Sequence, residues 1–207
     1  MKNVFKKENL TTKEKIIYAS LVEFGEQGLA GARVDKIAET AGVNKAMIYY
    51  HFTSKQQLYW DVIRYHIQQM ASALKENIDI NSSLEELLAQ VAEVYAVIFT
   101  YNPNMRQIFV RELAPPESAI IDIIADTMQA SDFPTIIATK MAGEMEAGKV
   151  RQLDIRQTIV SFITMNIGYF IMSPIVNKVQ KIEDPQKFID ERKYAVVDLF
   201  LNGVLKK

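Results

Sequence analysis

The chain has no cysteine and only two histidines, His51 and His66, among its 207 residues. Lack of cysteine excludes a disulfide framework and any thiolate metal site. The two histidines form no pair at ligand spacing with partner carboxylates, so a metal centre built on imidazole is not expected either. Glycine is sparse, eight in all, and nowhere forms a Gly-rich phosphate loop. Glu112, next to Arg111, reads as half of an ion pair rather than as a base. No catalytic residue, cofactor or metal is therefore expected, and an enzyme is the weaker functional class. No run of about 18 uninterrupted apolar residues suggests a membrane span. The opening MKNVFKKENL lacks the apolar stretch of a secretory signal. The expectation is a cytoplasmic protein with no membrane partner.

What the chain does contain is apolar and helical in pattern. Hydrophobic residues make up 49%, ample for a buried core. Helical spacing recurs throughout, without β-type alternation, repeats or a long linker. The net charge of −1 conceals an asymmetry: residues 1–66 carry 10 Lys or Arg against 7 Asp or Glu, and the rest 14 against 18. A mildly basic N-terminal part on an acidic remainder suits a protein that meets phosphate at one end.

The segment RVDKIAETAGVNKAMIYYHFTSK, from Arg33 to Lys55, is the most informative. Val34, Ile37, Ala38, Ala41, Val43 and Ile48 are apolar or small, with Gly42 at a turn. Two helices crossing steeply need a small residue at the crossing, and Ala38 supplies it. Gly42 can adopt the positive φ that ends the first helix, and Asn44 is a good N-cap for the second. Ile48 and Phe52, four apart, face inward together. That leaves Lys45, Ala46, Met47, Tyr49 and Tyr50 free to face DNA. On either side lie capping boxes: Thr11 with Glu14 opens a helix carrying Ile17, Leu21 and Phe24 and ending near Gly25 and Gly28, and Ser54 with Gln57 opens another carrying Leu58, Val62 and Tyr65.

Gly28, Arg33-Val34, Ile37-Ala38, Ala41-Gly42-Val43, Ile48-Tyr49, His51-Phe52 and Ser54-Lys55 together resemble the DNA-binding domain of the TetR family of transcriptional regulators. The resemblance implies an all-α protein. A three-helix DNA-binding head with a helix-turn-helix (residues 1–53) would be followed by a connecting helix (54–75). An all-helical dimerisation and ligand-binding body (76–207) would complete it. It also implies a homodimer on a double-stranded DNA operator, usually a repressor that a small-molecule effector releases. A ligand-independent regulator or an activator with a fully packed body is the alternative. The chain departs from the family at Ala32-Arg33, where Thr or Ser is frequent. Arg33 cannot cap a helix, but it can reach a phosphate or a guanine edge.

The expected DNA-binding set is Arg33, Asn44, Lys45, Ala46, Met47, Tyr49, Tyr50, His51 and Lys55. Base reading is assigned to Arg33, Ala46, Met47 and Tyr49, the methyl-bearing pair suiting thymine methyls. If Arg33, Lys45 and Lys55 neutralise about six phosphates per dimer, log K against log salt should slope near −5. In the body, Ser83 opens a helix that Asn102-Pro103-Asn104 ends, and Pro115-Pro116 breaks the next. The segment NPNMRQIFVRELA also resembles TetR-family bodies. Two further helices over 117–130 and 134–147 precede a long apolar helix that starts at Asp154 and contains Pro174. A last helix starts at Glu183-Asp184-Pro185 and carries Phe188, Tyr194, Val197, Leu201 and Leu205. The expected effector pocket uses Tyr95, Phe99, Met105, Phe109, Met128, Met141, Phe162, Met165, Asn166 and Tyr169, whose Met and aromatic groups tolerate an irregular cavity; Asn166 and Arg106 would orient a ligand. The expected dimer interface uses Ile159, Ile163, Tyr194, Val197 and Leu201 of the last two helices, in a four-helix arrangement formed by two subunits.

Overall fold

A computed structural model describes residues 10–204, so Leu205 lies outside the described residues. Among the described residues there are ten α-helices and no strand: α1 (Thr12–Gly31), α2 (Val34–Ala41), α3 (Lys45–His51), α4 (Lys55–Asn77), α5 (Leu84–Tyr101), α6 (Pro103–Glu112), α7 (Ala119–Ala130), α8 (Phe133–Glu146), α9 (Ile155–Val179) and α10 (Pro185–Val204). They form two compact units. One runs to Ala71 and takes in Asn102–Thr127; the other comprises Ser72–Tyr101 and the chain from Met128 onward. The first unit thus includes α6 and most of α7, which a division of the chain at residue 76 assigns to the body. The reason is packing: α6 lies along α1.

Local chemistry sets where the helices begin. Thr11 and Glu14 form the full capping box at α1, with Thr11 N–H donating to Glu14 Oε2 at 2.9 Å. Ser83 and Glu86 do the same for α5. Asp154 caps α9 through Gln157 N–H, and Asp184 accepts from Lys187 N–H ahead of α10. Ser54 accepts from Gln57 N–H, but the Gln57 side chain turns to Asp61, so that box is half formed. Pro103 stands in the first turn of α6, where no N–H partner is lost.

In the first unit Ile16, Phe24, Ile37, Ile48, Phe52, Leu58, Tyr59, Val62 and Ile63 are buried. Phe24 and Tyr59 meet edge to face at 4.9 Å. α1 does not stop at Gly28, as its glycines suggested, but continues to Gly31 through a break at that residue (φ 68°, ψ 176°). A Cβ-bearing residue rarely adopts such a φ.

In the second unit α5, α8, α9 and α10 bury Leu87, Val91, Ile98, Met141, Phe162, Phe170 and Phe200. Phe99 stacks on Phe170 at 5.3 Å, and Phe162 meets Phe200 at 4.9 Å. Lys193 of α10 pairs with Glu93 of α5. Pro174 inside α9 has no N–H to offer Phe170 C=O, four residues earlier. The Ser173 hydroxyl donates to that carbonyl instead, at 3.1 Å. α9 is long and apolar enough to cross a membrane by length and composition alone, a property not visible as an unbroken apolar run because Thr, Ser and Asn interrupt it. Only part of it is buried within the chain: Val160, Ile171, Met172, Ile175 and Val179 are exposed.

Candidate nucleic-acid interface

α2 and α3 form the helix-turn-helix. α2 ends at Gly42 in the left-handed conformation (φ 66°, ψ 34°), whose N–H reaches back to Ala38 and Glu39. Val43 N–H then closes on Ala38 C=O at 3.0 Å, completing a Schellman-type stop. Asn44 starts α3 by accepting Met47 N–H on its Oδ1 at 2.8 Å. Ile48 and Phe52 are buried and anchor the inner face. The outer face is open: Lys45 and Ala46 are exposed, Met47 is half-buried, and Tyr49 and Tyr50 are 46% and 80% exposed. His51 is half-buried, with its ring against Tyr50 at 5.1 Å and Phe52 beyond. One short helix therefore presents a cation, a methyl, a thioether and two phenols on a single outward surface. These are groups able to read base edges and hold phosphates in a major groove.

The surrounding charges are more committed than spacing suggests. Lys45 Nζ sits 3.0 Å from Asp35 of α2, and this bond raises the ammonium pKa. Arg33 precedes α2 without capping it by side chain; its backbone N–H donates to Glu23 Oε1 at 2.9 Å, and the residue is exposed. Lys55 differs most. Its Nζ donates to Ala30 C=O at 3.2 Å and Ala32 C=O at 3.1 Å, across the junction between α1 and α2. Two of its three donors are thus occupied by protein carbonyls. Neither the Glu23 bond nor the Lys55 bonds had a signal in local spacing, because each joins residues far apart in the chain.

The other predicted sets are distributed as follows. Of the pocket residues, Tyr95, Phe99, Met141, Phe162, Asn166 and Tyr169 are buried and Met128 and Met165 half-buried, all in the second unit. Met105 and Phe109, though buried, belong to α6 in the unit that holds the head, and so does Arg106. The Asn166 side chain donates to Phe162 C=O of its own helix at 2.8 Å, which commits one N–H of its amide within α9. Tyr169 OH donates to Asn177 Oδ1, and Arg192 lies over the Tyr169 ring at 5.2 Å. Of the interface residues, Ile159 and Ile163 are half-buried and Tyr194 is exposed. Val197 and Leu201 are buried within the chain itself, so they do not offer α10 a surface for a partner; Leu199, 65% exposed, does.

A helix-turn-helix with a basic, aromatic outer helix, set in an all-α chain, defines a DNA-binding regulator. Residues 16–62 match the model of the family described as bacterial regulatory proteins, tetR family. Over that segment the chain carries a TetR-family DNA-binding domain. It is 22% identical over 191 residues to the biofilm operon icaADBC negative transcriptional regulator IcaR of Staphylococcus aureus (strain Newman), covering 91% of this chain and 98% of that protein. It is also 22% identical over 148 residues to the transcriptional activator FasR of Mycolicibacterium smegmatis, 71% of this chain and 67% of that one. Among solved structures it shares its fold with the transcriptional regulator FadR from Bacillus subtilis in complex with stearoyl-CoA, at TM-score 0.69 and 19% identity over 92% of this chain and 98% of that one. The fatty acid degradation regulator FadR from Bacillus halodurans also has a TM-score of 0.69, at 16% identity over 92% and 97%.

Proposed function

We propose that the protein is a repressor that binds a palindromic operator as a homodimer and leaves it when a small apolar effector fills the second unit. The observation that carries the dimer is the surface of α9 and α10. Ile175, Val179, Tyr194 and Leu199 are each more than half exposed, on the two last helices of the chain. Apolar faces of this length on adjacent helices are best covered by the same faces of a second copy, giving four helices about a two-fold axis. Two heads so related read half-sites about one helical turn, roughly 34–36 Å, apart or a multiple of it. In each head Arg33, Lys45, Ala46, Met47, Tyr49 and Tyr50 meet the DNA, with Asn44 and His51 at the two ends of α3.

Repression rather than activation is supported by the likeness to IcaR along nearly the whole chain; the match to the activator FasR is shorter. For the effector, the second unit supplies Tyr95, Phe99, Met141, Phe162 and Tyr169, and the fold is shared with a regulator solved with stearoyl-CoA. An effector with a long apolar portion is the chemistry such a lining accepts. It must bind the form that is off DNA better than the form on it, and α4, which leads out of the head, is the lever through which head separation changes.

The test is selection of random duplexes by the purified protein, followed by sequencing. A two-fold symmetric consensus that Arg33→Ala binds at least tenfold more weakly is expected. A consensus without symmetry would refute the dimeric reading, and retention without any consensus would refute base reading by α3.

A further inference from the structure

The break in α1 at Gly28 sits between two cations that come from elsewhere in the same compact unit. A peptide leaving Gly28 at ψ 176° departs from the helical path. Carbonyls at such a break are open to donors from outside the helix. Arg111 of α6 supplies them: Nη1 donates to Phe24 C=O at 3.0 Å and Nη2 to Gly25 C=O at 3.2 Å. The fork of a guanidinium spans two successive carbonyls, which a point-charge ammonium cannot do as well. The guanidinium also lies against Gly28 itself, where an added Cβ would stand 3.2 Å from Nη1. Beyond the break, Gly28 C=O accepts from Ala32 N–H, Lys55 holds Ala30 and Ala32, and Glu23 holds Arg33 N–H. The turn that delivers the chain into α2 is thus fixed from both sides. Next to Arg111, Glu112 accepts the Tyr59 hydroxyl of α4 at 2.6 Å and the Ser118 hydroxyl at 3.0 Å.

From this geometry we infer that Arg111 is a positioning residue for DNA recognition: by clamping the Gly28 break it sets the angle at which α2 and α3 leave α1, and it makes α6 a second handle on the head besides α4. Arg111 touches no DNA in this account. It acts on which bases the outer face of α3 can reach, while the number of phosphate-binding charges is unchanged. The inference rests on the regulator reading above.

The experiment compares full-length wild type with Arg111→Met and Arg111→Lys. Two readouts are taken well below the melting temperature, where all three chains are folded. The first is amide hydrogen exchange across residues 24–33, which needs no DNA. The second is affinity for the selected consensus duplex and for an unrelated duplex of equal length, each over a salt series. Arg111→Met should speed exchange in residues 24–33 at least tenfold. It should also weaken consensus binding at least tenfold, with unrelated DNA and the salt slope unchanged, and Arg111→Lys should fall between. Unchanged exchange would overturn the clamp. Faster exchange with an unchanged ratio of consensus to unrelated affinity would make Arg111 merely structural. A salt slope shallower by about two per dimer would make it a phosphate ligand, which also overturns the inference. If wild type itself shows no consensus, the regulator reading fails on that account, and the exchange data alone decide the clamp.

Discussion

His66 should make the head sensitive to acid, and the size of the effect can be worked out. The side chain is fully buried, and neither ring nitrogen has a hydrogen-bond partner among the described residues. Its neighbours are the rings of Tyr18 and Tyr65, edge-on at 5.5 and 5.4 Å. Glu14 accepts the Tyr65 hydroxyl at 3.5 Å and makes no hydrogen bond to the imidazole. Burial without a compensating charge pushes the His66 pKa down from 6.5 to about 4. Between those two values the unfolded chain takes up a proton that the folded chain refuses. Stability is therefore full above about pH 6.5 and falls as the pH drops towards 4, by about 3 kcal/mol across the whole interval. His66→Leu removes this dependence and also the two unpartnered nitrogens, so it should be more stable than wild type even at neutral pH. Urea denaturation followed by far-UV circular dichroism should show the advantage of His66→Leu growing by about 2 kcal/mol between about pH 7.5 and pH 5. Carboxylates titrate equally in both proteins and cancel in the difference. If the gap between the two proteins is the same at both pH values, His66 is not a buried neutral imidazole and the reasoning fails.

Two further outcomes follow from where cations and apolar faces lie. If the Lys55 ammonium holds Ala30 and Ala32, Lys55→Met should lower stability by about 1–2 kcal/mol. It should leave the salt slope of operator binding as in wild type, near −3.6 for about four neutralised phosphates per dimer rather than the −5 expected with Lys55 included. A wild-type slope near −5 that becomes shallower in the variant would return Lys55 to the phosphate contacts. The double variant Ile175→Asp, Tyr194→Asp places carboxylates on exposed positions of α9 and α10, so the protomer should melt normally while light scattering reports monomers and operator binding falls by at least a hundredfold. A dimer that survives both charges would place the interface elsewhere.

How much of this could be read from the residues alone depended on range. Helix starts were legible because a cap is a bond between neighbours: Thr11 with Glu14, Asn44 with Met47 and Asp154 with Gln157 are each three residues apart. So were the turn at Gly42 and the inward pair Ile48 and Phe52, since φ preference and helical period are local properties. The tasks of Lys55 and Arg111 were not legible. The bonds of Lys55 span 23 and 25 residues and those of Arg111 span 86 and 87, and nothing near either residue marks its acceptors. Lys45 was legible as a surface cation but not as one shared with Asp35, ten residues away.

The last helix shows a subtler limit, in which the period was right and the phase was not. Tyr194, Val197 and Leu201 follow helical spacing and read as one stripe facing a partner. In the fold, Val196, Val197, Phe200 and Leu201 are buried together, whereas Tyr194 and Leu199 are exposed. At about 100° per residue the buried four span about 140° of the helix, and Tyr194 falls about 20° beyond the Leu201 edge. A single amphipathic stripe cannot reveal that boundary, because both sides of it are apolar: one is covered by α5 and α9 of the same chain, the other is left exposed among the described residues. Periodicity separates apolar from polar. Only the packing of α5 and α9 divides an apolar surface into the part that folds the protomer and the part left for a second copy.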